Sequence, residues 1–366
     1  MTFILIPLYA SSLGMSGVQI GSLLSLPVVL HIAFSLAGGA ITDRVGGKKL
    51  STLSCALTSI AAAVFMASDS FMLLFEGQIL LVIARSIFWT SNLALATQLP
   101  GDPARQMGWF TIVTNAGQIT GSTLAGFVIA WSGYRAGFGA MVTAGLLALL
   151  LNQLHKTAAV IARAGPQITA IGKYRELLGN RAIRLSMFCA YISALPISLL
   201  VSFYPILLTH NGLDSQIAGT LLSFRGVGAI AAGFVVGKLV RDYRQIRVAL
   251  SSSIAVGLSV LLTTTVSLPM LIALFMFTLG AGSAIITNYA YTVIRERSAE
   301  EVRGSATGLF NVGFGISHLT TPFVIGLLRD VIGIENAFYI MGGFTLLCGL
   351  ALIPIHRWAF AADAVK

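Results

Sequence analysis

Long apolar runs separated by short polar gaps cover nearly the whole chain. They fall at about 18–40, 50–68, 77–98, 107–131 and 135–153, then at about 183–209, 215–238, 246–267, 268–293, 304–328 and 336–356. Each is long enough for a helix crossing a hydrocarbon layer, which takes roughly 20 apolar residues. The pattern predicts eleven complete spans after an apolar start, Met1 to Leu13. The longest polar stretch, 154–181, holds Lys156, Arg163, Lys173, Arg175 and Glu176. It divides the chain into an N-terminal bundle at 1–153, a central linker at 154–181 and a C-terminal bundle with a short tail at 182–366. The gap from Gly38 to Lys49, reading GGAITDRVGGKK, is the most informative. It leaves one apolar run and re-enters another, as a tight hairpin at a membrane surface does. Its glycines can take positive φ. Asp43 is placed to cap a helix end, and Arg44 and the lysines can reach headgroups or a partner helix.

Composition sharpens this. Apolar residues make up 56% and charged ones 10%, against about 25% charged in soluble domains. The net charge of +10 does not imply nucleic acid, because a DNA-binding domain gathers its basic residues on one face. Here they fall in the gaps: 19 of the 23 lie on the side of the 38–49 hairpin. The opposite side has Arg135 and Arg329, and Arg85 and Arg225 lie inside spans. The positive-inside rule then predicts a cytoplasmic hairpin, linker and C-terminus. Trp131 and Trp358 sit at span ends, as interfacial anchors do. Cys55, Cys189 and Cys348 each lie in an apolar run and are expected to be inert thiols, with no metal motif or disulfide framework. Residues 1–13 lack a basic n-region and a cleavage site, so no signal peptide is expected.

The halves repeat. At an offset of 200, Gly108, Phe110, Thr120, Gly126, Gly133 and Phe138 meet Gly308, Phe310, Thr320, Gly326, Gly333 and Phe338. At an offset of 198, Pro7, Gly14, Gly21, Leu23, Leu24 and Ser25 meet Pro205, Gly212, Gly219, Leu221, Leu222 and Ser223. Gly39 meets Gly237, and the hairpin has a second copy around Lys238, Arg241, Asp242 and Arg244. Internal duplication of this kind is common transporter architecture. It also predicts that the partner of the 183–209 span ends near residue 11, so the chain is expected to lack most of its first helix.

Two six-span halves, a central linker and the hairpin together resemble the major facilitator superfamily. In that family the loop between spans two and three reads G-x-x-x-D-[RK]-x-G-[RK]-[KR]. Gly39, Asp43, Arg44, Gly46, Lys48 and Lys49 match it, with Gly47 inserted. Arg85 resembles the family's span-four arginine. Gly117, Gly121 and Gly126 resemble the span-five signature of proton-coupled antiporters, with Ser122 where that signature has proline and Ala125 in place of a glycine. The resemblance implies an all-α membrane fold of two pseudo-symmetric six-helix bundles, here eleven full spans plus a partial first helix. It further implies a hairpin that gates the outward-open state.

Ionisable groups inside a membrane cost roughly 2.5–3.5 kcal/mol on insertion scales and are functional candidates by default. Arg85 could sense proton or substrate charge, or make a structural hydrogen bond to a neighbouring helix. Arg225 lies mid-span with no carboxylate in its run; an anionic substrate group, or a partner in the absent helix, would satisfy it. His31 and His318 could gate or carry protons near neutral pH, or be neutral and bonded to a neighbouring hydroxyl. Glu76 reads as interfacial. Asn92 and Asn288, related by the repeat, and Asn115 with Gln118 are polar candidates, with interhelical hydrogen bonding as the alternative. Tyr191, Tyr204, Tyr289 and Tyr291 could line a cavity or anchor span ends.

The expected function is secondary active transport of a small organic solute by alternating access, as proton-coupled efflux. Uptake of an anionic metabolite by proton symport is the alternative. A non-transporting receptor would carry a soluble domain, and an enzyme would need a nucleophile–base pair or metal ligands, which the spans do not offer. Protons and lipid are the expected partners, nucleic acid is not, and no cofactor or metal is expected. A monomer in the plasma membrane, bacterial inner membrane included, is anticipated.

Overall fold

In the computed structural model, residues 1–97, 103–154, 171–299 and 302–361 are described. Among them the structure is all helix. The elements are α1 Thr2–Ser12, α2 Gly17–Ser25, α3 Val28–Val45, α4 Gly47–Ala67, α5 Phe71–Thr97, α6 Pro103–Leu154 and α7 Ile171–Gly179. There follow α8 Arg181–Leu200, α9 Tyr204–His210, α10 Ser215–Leu239, α11 Ile246–Thr263, α12 Pro269–Arg297, α13 Arg303–Ile332 and α14 Ile334–Ala359. Among the described residues, ten helices are long and apolar enough to cross a membrane. One of them, α6, is two helices joined at Gly133, which takes φ 76° and ψ 180° inside it. Large apolar side chains stand open on the outside, with Trp131 79%, Met270 85% and Leu347 67% exposed. Such a belt is costly in water and ordinary in lipid.

The sequence explains where helices break. Ser16 accepts from Gln19 N–H at 3.2 Å while Gln19 Oε1 accepts from Ser16 N–H at 2.9 Å, a reciprocal cap that starts α2. The 18–40 run is two helices rather than one, because Pro27 interrupts it between Ser25 and Val28. The 183–209 run likewise breaks at Val201–Phe203, just before Pro205 in the first turn of α9. The 38–49 hairpin is tighter than expected. Helix α3 continues to Val45 and α4 begins at Gly47, so the reversal rests on Gly46 at φ 93°. A side chain would be strained there.

Positive φ also marks the repeat. Gly133 and Gly333 stand at φ 76° and 85°, and Gly14 and Gly212 at 74° and 82°. These are the two pairs the offsets of 200 and 198 relate. Packing follows the same symmetry. Helix α4 packs on α5 and on the second part of α6, as α11 packs on α12 and α14. Two seams join the halves, α6 against α10 and α13 against α2 and α3. Of the linker, Ile171–Gly179 is helical, and 155–170 lie outside the described residues.

Candidate functional site

The seams have one closed end. A methyl group at Gly17 would run into the Gly326 carbonyl, and one at Gly21 into that of Pro322, so α2 and α13 touch backbone to backbone. On the other seam, Gly126 meets Ser215 and Gly219 meets the Ser122 carbonyl. Asp330 reinforces the first seam: its two oxygens accept from Gly17 N–H at 2.6 Å and Val18 N–H at 2.8 Å. A carboxylate at a helix N-terminus satisfies orphan donors and the helix dipole together. The far end of the α6–α10 seam is open among the described residues. Gly108 lies 18 residues, five helical turns, before Gly126 on the same face of α6, and none of the described residues lies within 4 Å of its Cβ position. Gly233, on the α10 face that presents Gly226 to Ile119, is equally open.

Between the two ends the candidate cations converge. Arg85 of α5 donates from Nη2 to the Thr2 hydroxyl of α1, and its guanidinium lies over the Phe3 ring at 5.0 Å. Ser86 beside it bonds His31 Nδ1 of α3 at 2.9 Å. His318 of α13 stacks on Phe314 at 4.7 Å, with Nδ1 3.2 Å from the Phe314 carbonyl. It lies within electrostatic reach of His31, Arg85 and Arg225. Arg225 of α10 donates from Nη1 to Gln118 Oε1 of α6 at 2.7 Å, across the seam. All four cationic or titratable side chains lie within apolar helices, His31 in the first turn of α3, yet keep some exposed surface. They come from four helices, α3 and α5 in the N-terminal half and α10 and α13 in the C-terminal half. Among the described residues no carboxylate is buried, and Glu76 is exposed near the start of α5. The cluster is therefore cationic, without an internal counter-ion among those residues.

The other candidates are placed differently. Asn92, Asn115 and Asn288 each donate to a carbonyl of their own helix at 2.9 Å, from Phe88, Thr111 and Ala284. Asn92 also accepts from Ser51 Oγ of α4 at 3.4 Å, which is helix–helix bonding. Tyr204 and Tyr289 do not line a cavity: both are fully buried, Tyr204 against Phe338 and Tyr289 donating to the Tyr243 carbonyl at 2.9 Å. Of the glycine pattern, Gly126 sits in the closed seam, Gly121 faces the start of α1, and Gly117 has nothing within 4 Å. In the hairpin, Gly47 packs on Leu95, while the side chains of Asp43 and Arg44 and the surroundings of Gly39 lie outside what is described. Its second copy is pinned down: Tyr243 N–H donates to Glu296 at 3.2 Å, and Arg297 covers the Tyr243 ring at 4.2 Å. Sequence reasoning missed Thr2, Ser86 and Asp330. Only their adjacency to Phe3, Arg85 and Arg329 marked them out.

A family profile for the Major Facilitator Superfamily matches residues 1–193 and again 186–360. The probable galactarate/D-glucarate transporter GarP of Escherichia coli K12 is 23% identical over 93% of this chain and 86% of its own. The quinolone resistance protein NorA of Staphylococcus aureus COL is 21% identical over 96% and 91%. Among solved structures, a crystal structure of the nucleoside transporter NupG superposes with a TM-score of 0.79 at 14% identity, covering 97% of this chain and 97% of that one. With the family profile matching each half in turn, the chain belongs to the Major Facilitator Superfamily of membrane transporters.

Proposed function

We propose that the chain carries a small organic anion across the plasma membrane by alternating access, taking it up together with protons. The observation that carries this is the convergence of Arg85, Arg225, His31 and His318 with no buried carboxylate among the described residues. An anion reaching that cluster supplies the missing counter-charge, whereas a cation would meet repulsion in a poorly screened site. Histidine is the side chain that titrates nearest neutrality, so His31 and His318 are the proton carriers of this reading. The similarity to GarP, whose name specifies two sugar diacids, points the same way.

The positive-inside rule places the parted end, with the hairpin and its gating residues Asp43 and Arg44, in the cytoplasm. The conformation is then inward-open, and Asp330 belongs to the closed outer gate. Both gates and the cationic cluster lie within one chain, so one copy is the working unit.

A second reading is proton-linked drug efflux. The similarity to NorA over 96% of the chain and the Gly117, Gly121, Gly126 pattern favour it. Reconstitution separates the two. Proteoliposomes with an imposed inward proton gradient should accumulate labelled D-glucarate and lose it on adding a protonophore. They should not move the lipophilic cation ethidium. Saturable ethidium exchange with no organic-anion transport would reject the anion reading.

A further inference from the structure

The two arginines of the cluster are not equivalent. Arg85 is engaged by a hydroxyl and an aromatic face of α1. Among the described residues Arg225 makes one hydrogen bond, to the neutral Gln118 oxygen, and its Nε is buried without a partner. A guanidinium carries five N–H donors in a rigid fork suited to a carboxylate. The helices around it supply none: α6 and α10 contain no Asp or Glu, and the one in α12, Glu296, lies near its far end. Its backbone is fixed tightly. The Arg225 carbonyl abuts Gly280 of α12, and Gly226 abuts Ile119 of α6. The side chain therefore has a defined origin, a neutral group that orients it, and an unused edge.

Resting on the anion reading above, we propose that Arg225 is the specificity-determining residue that receives the substrate carboxylate, and that Gln118 is its positioning residue. Gln118 lends an acceptor without neutralising the charge, so the fork is aimed before substrate arrives. A bidentate Arg–carboxylate pair then forms on the donors that Gln118 leaves without a partner, the buried Nε among them. Gln118 lies on α6 and Arg225 on α10, so the site straddles the seam that must part and close in each cycle.

Replacing the amide by a carboxylate gives a sharp test. Gln118→Glu keeps the hydrogen bond and the side-chain size but neutralises the guanidinium with a fixed anion beside the edge the substrate would use. If Arg225 merely braces the seam, the charge-assisted bond alters only the rate of cycling and leaves the KM at the wild-type value. If Arg225 receives substrate, the variant blocks itself. In proteoliposomes of the full chain, the KM for D-glucarate should rise roughly 30-fold or more in Gln118→Glu. In Gln118→Leu, which only loosens the guanidinium, the rise should be a few-fold. Arg225→Lys should recover part of the loss seen in Arg225→Gln. Unchanged KM in a folded Arg225→Gln or in Gln118→Glu would overturn the assignment. Should Arg225→Gln fail to fold, by size-exclusion profile in detergent, Gln118→Glu decides alone. Failure of the wild-type chain to move D-glucarate or any other organic carboxylate would instead reject the anion reading itself.

Discussion

At the scale of single residues, the cost of charge in a low-dielectric interior organises the site. Arg85 is held by Thr2 and by the face of Phe3, neither of which neutralises it. On the proposed function it keeps a positive field at the cluster while the Thr2 bond fixes its direction. Arg85→Gln should abolish D-glucarate uptake with fold intact. Arg85→Lys, which keeps charge but loses the planar stack and fork, should leave a small fraction of the rate. Full activity in Arg85→Gln would show that the charge has no part in transport. Arg85, Arg225, His31 and His318 were legible in the sequence because an ionisable residue in an apolar run has few reasons to persist. Their partners were not. Gln118 and Arg225 are 107 positions apart, and no local pattern links them. The tyrosines were ambiguous for another reason: an amphipathic ring suits an interface, a cavity wall or a buried pocket, and only packing decided for Tyr204 and Tyr289.

At the scale of helices, close approach is set by small residues and held by a borrowed cap. Hydropathy located the spans but not their internal breaks, because Pro27 and Val201–Phe203 lie within runs that stay apolar throughout. The repeat offsets did anticipate which glycines recur at the turns after the spans, and Gly14, Gly212, Gly133 and Gly333 take positive φ there. The cap was invisible: Asp330 reads as an ordinary span-end acid, and it reaches Gly17 across 313 positions. Removing a capping side chain typically costs about 1 kcal/mol, and here the loss falls only on the conformation closed at that end. Asp330→Ala should therefore raise the population of the opposite conformation about fivefold. Ser122, 2% exposed in the closed α6–α10 seam, reports it. In a background with Cys55, Cys189 and Cys348 replaced by serine, Ser122→Cys should react faster with an impermeant maleimide when Asp330 is alanine. An unchanged rate would mean that the Asp330 bonds do not hold the seam shut.

At the scale of the whole molecule, alternating access requires that the parted ends of α6 and α10 meet when the closed ends separate. The antiparallel register already formed says where. Gly126 lies against Ser215 and Gln216, Ser122 against Gly219, and Ile119 against Gly226. Moving one way along α6 therefore moves the opposite way along α10, and this progression brings Gly108 opposite Gly233. At both glycines the Cβ position is clear of the described residues, so two cysteines fit without clash against them in the present conformation. Close packing at the seam would also be available to the backbones once they approach, as it is at Gly126 and Gly219. In the cysteine-free background, Gly108→Cys with Gly233→Cys should form a disulfide on mild oxidation at a rate that rises as substrate drives turnover. The oxidised protein should be trapped with its Gly17 end open. Transport should stop, impermeant maleimide should gain access to a cysteine at Ser122, and reductant should reverse both effects. A disulfide needs Cα atoms within about 7 Å, so a cross-link that forms while transport continues unimpaired would mean that the two helices meet without closing the pathway. The rocking of one half against the other would then be wrong for this seam, however sound the fold.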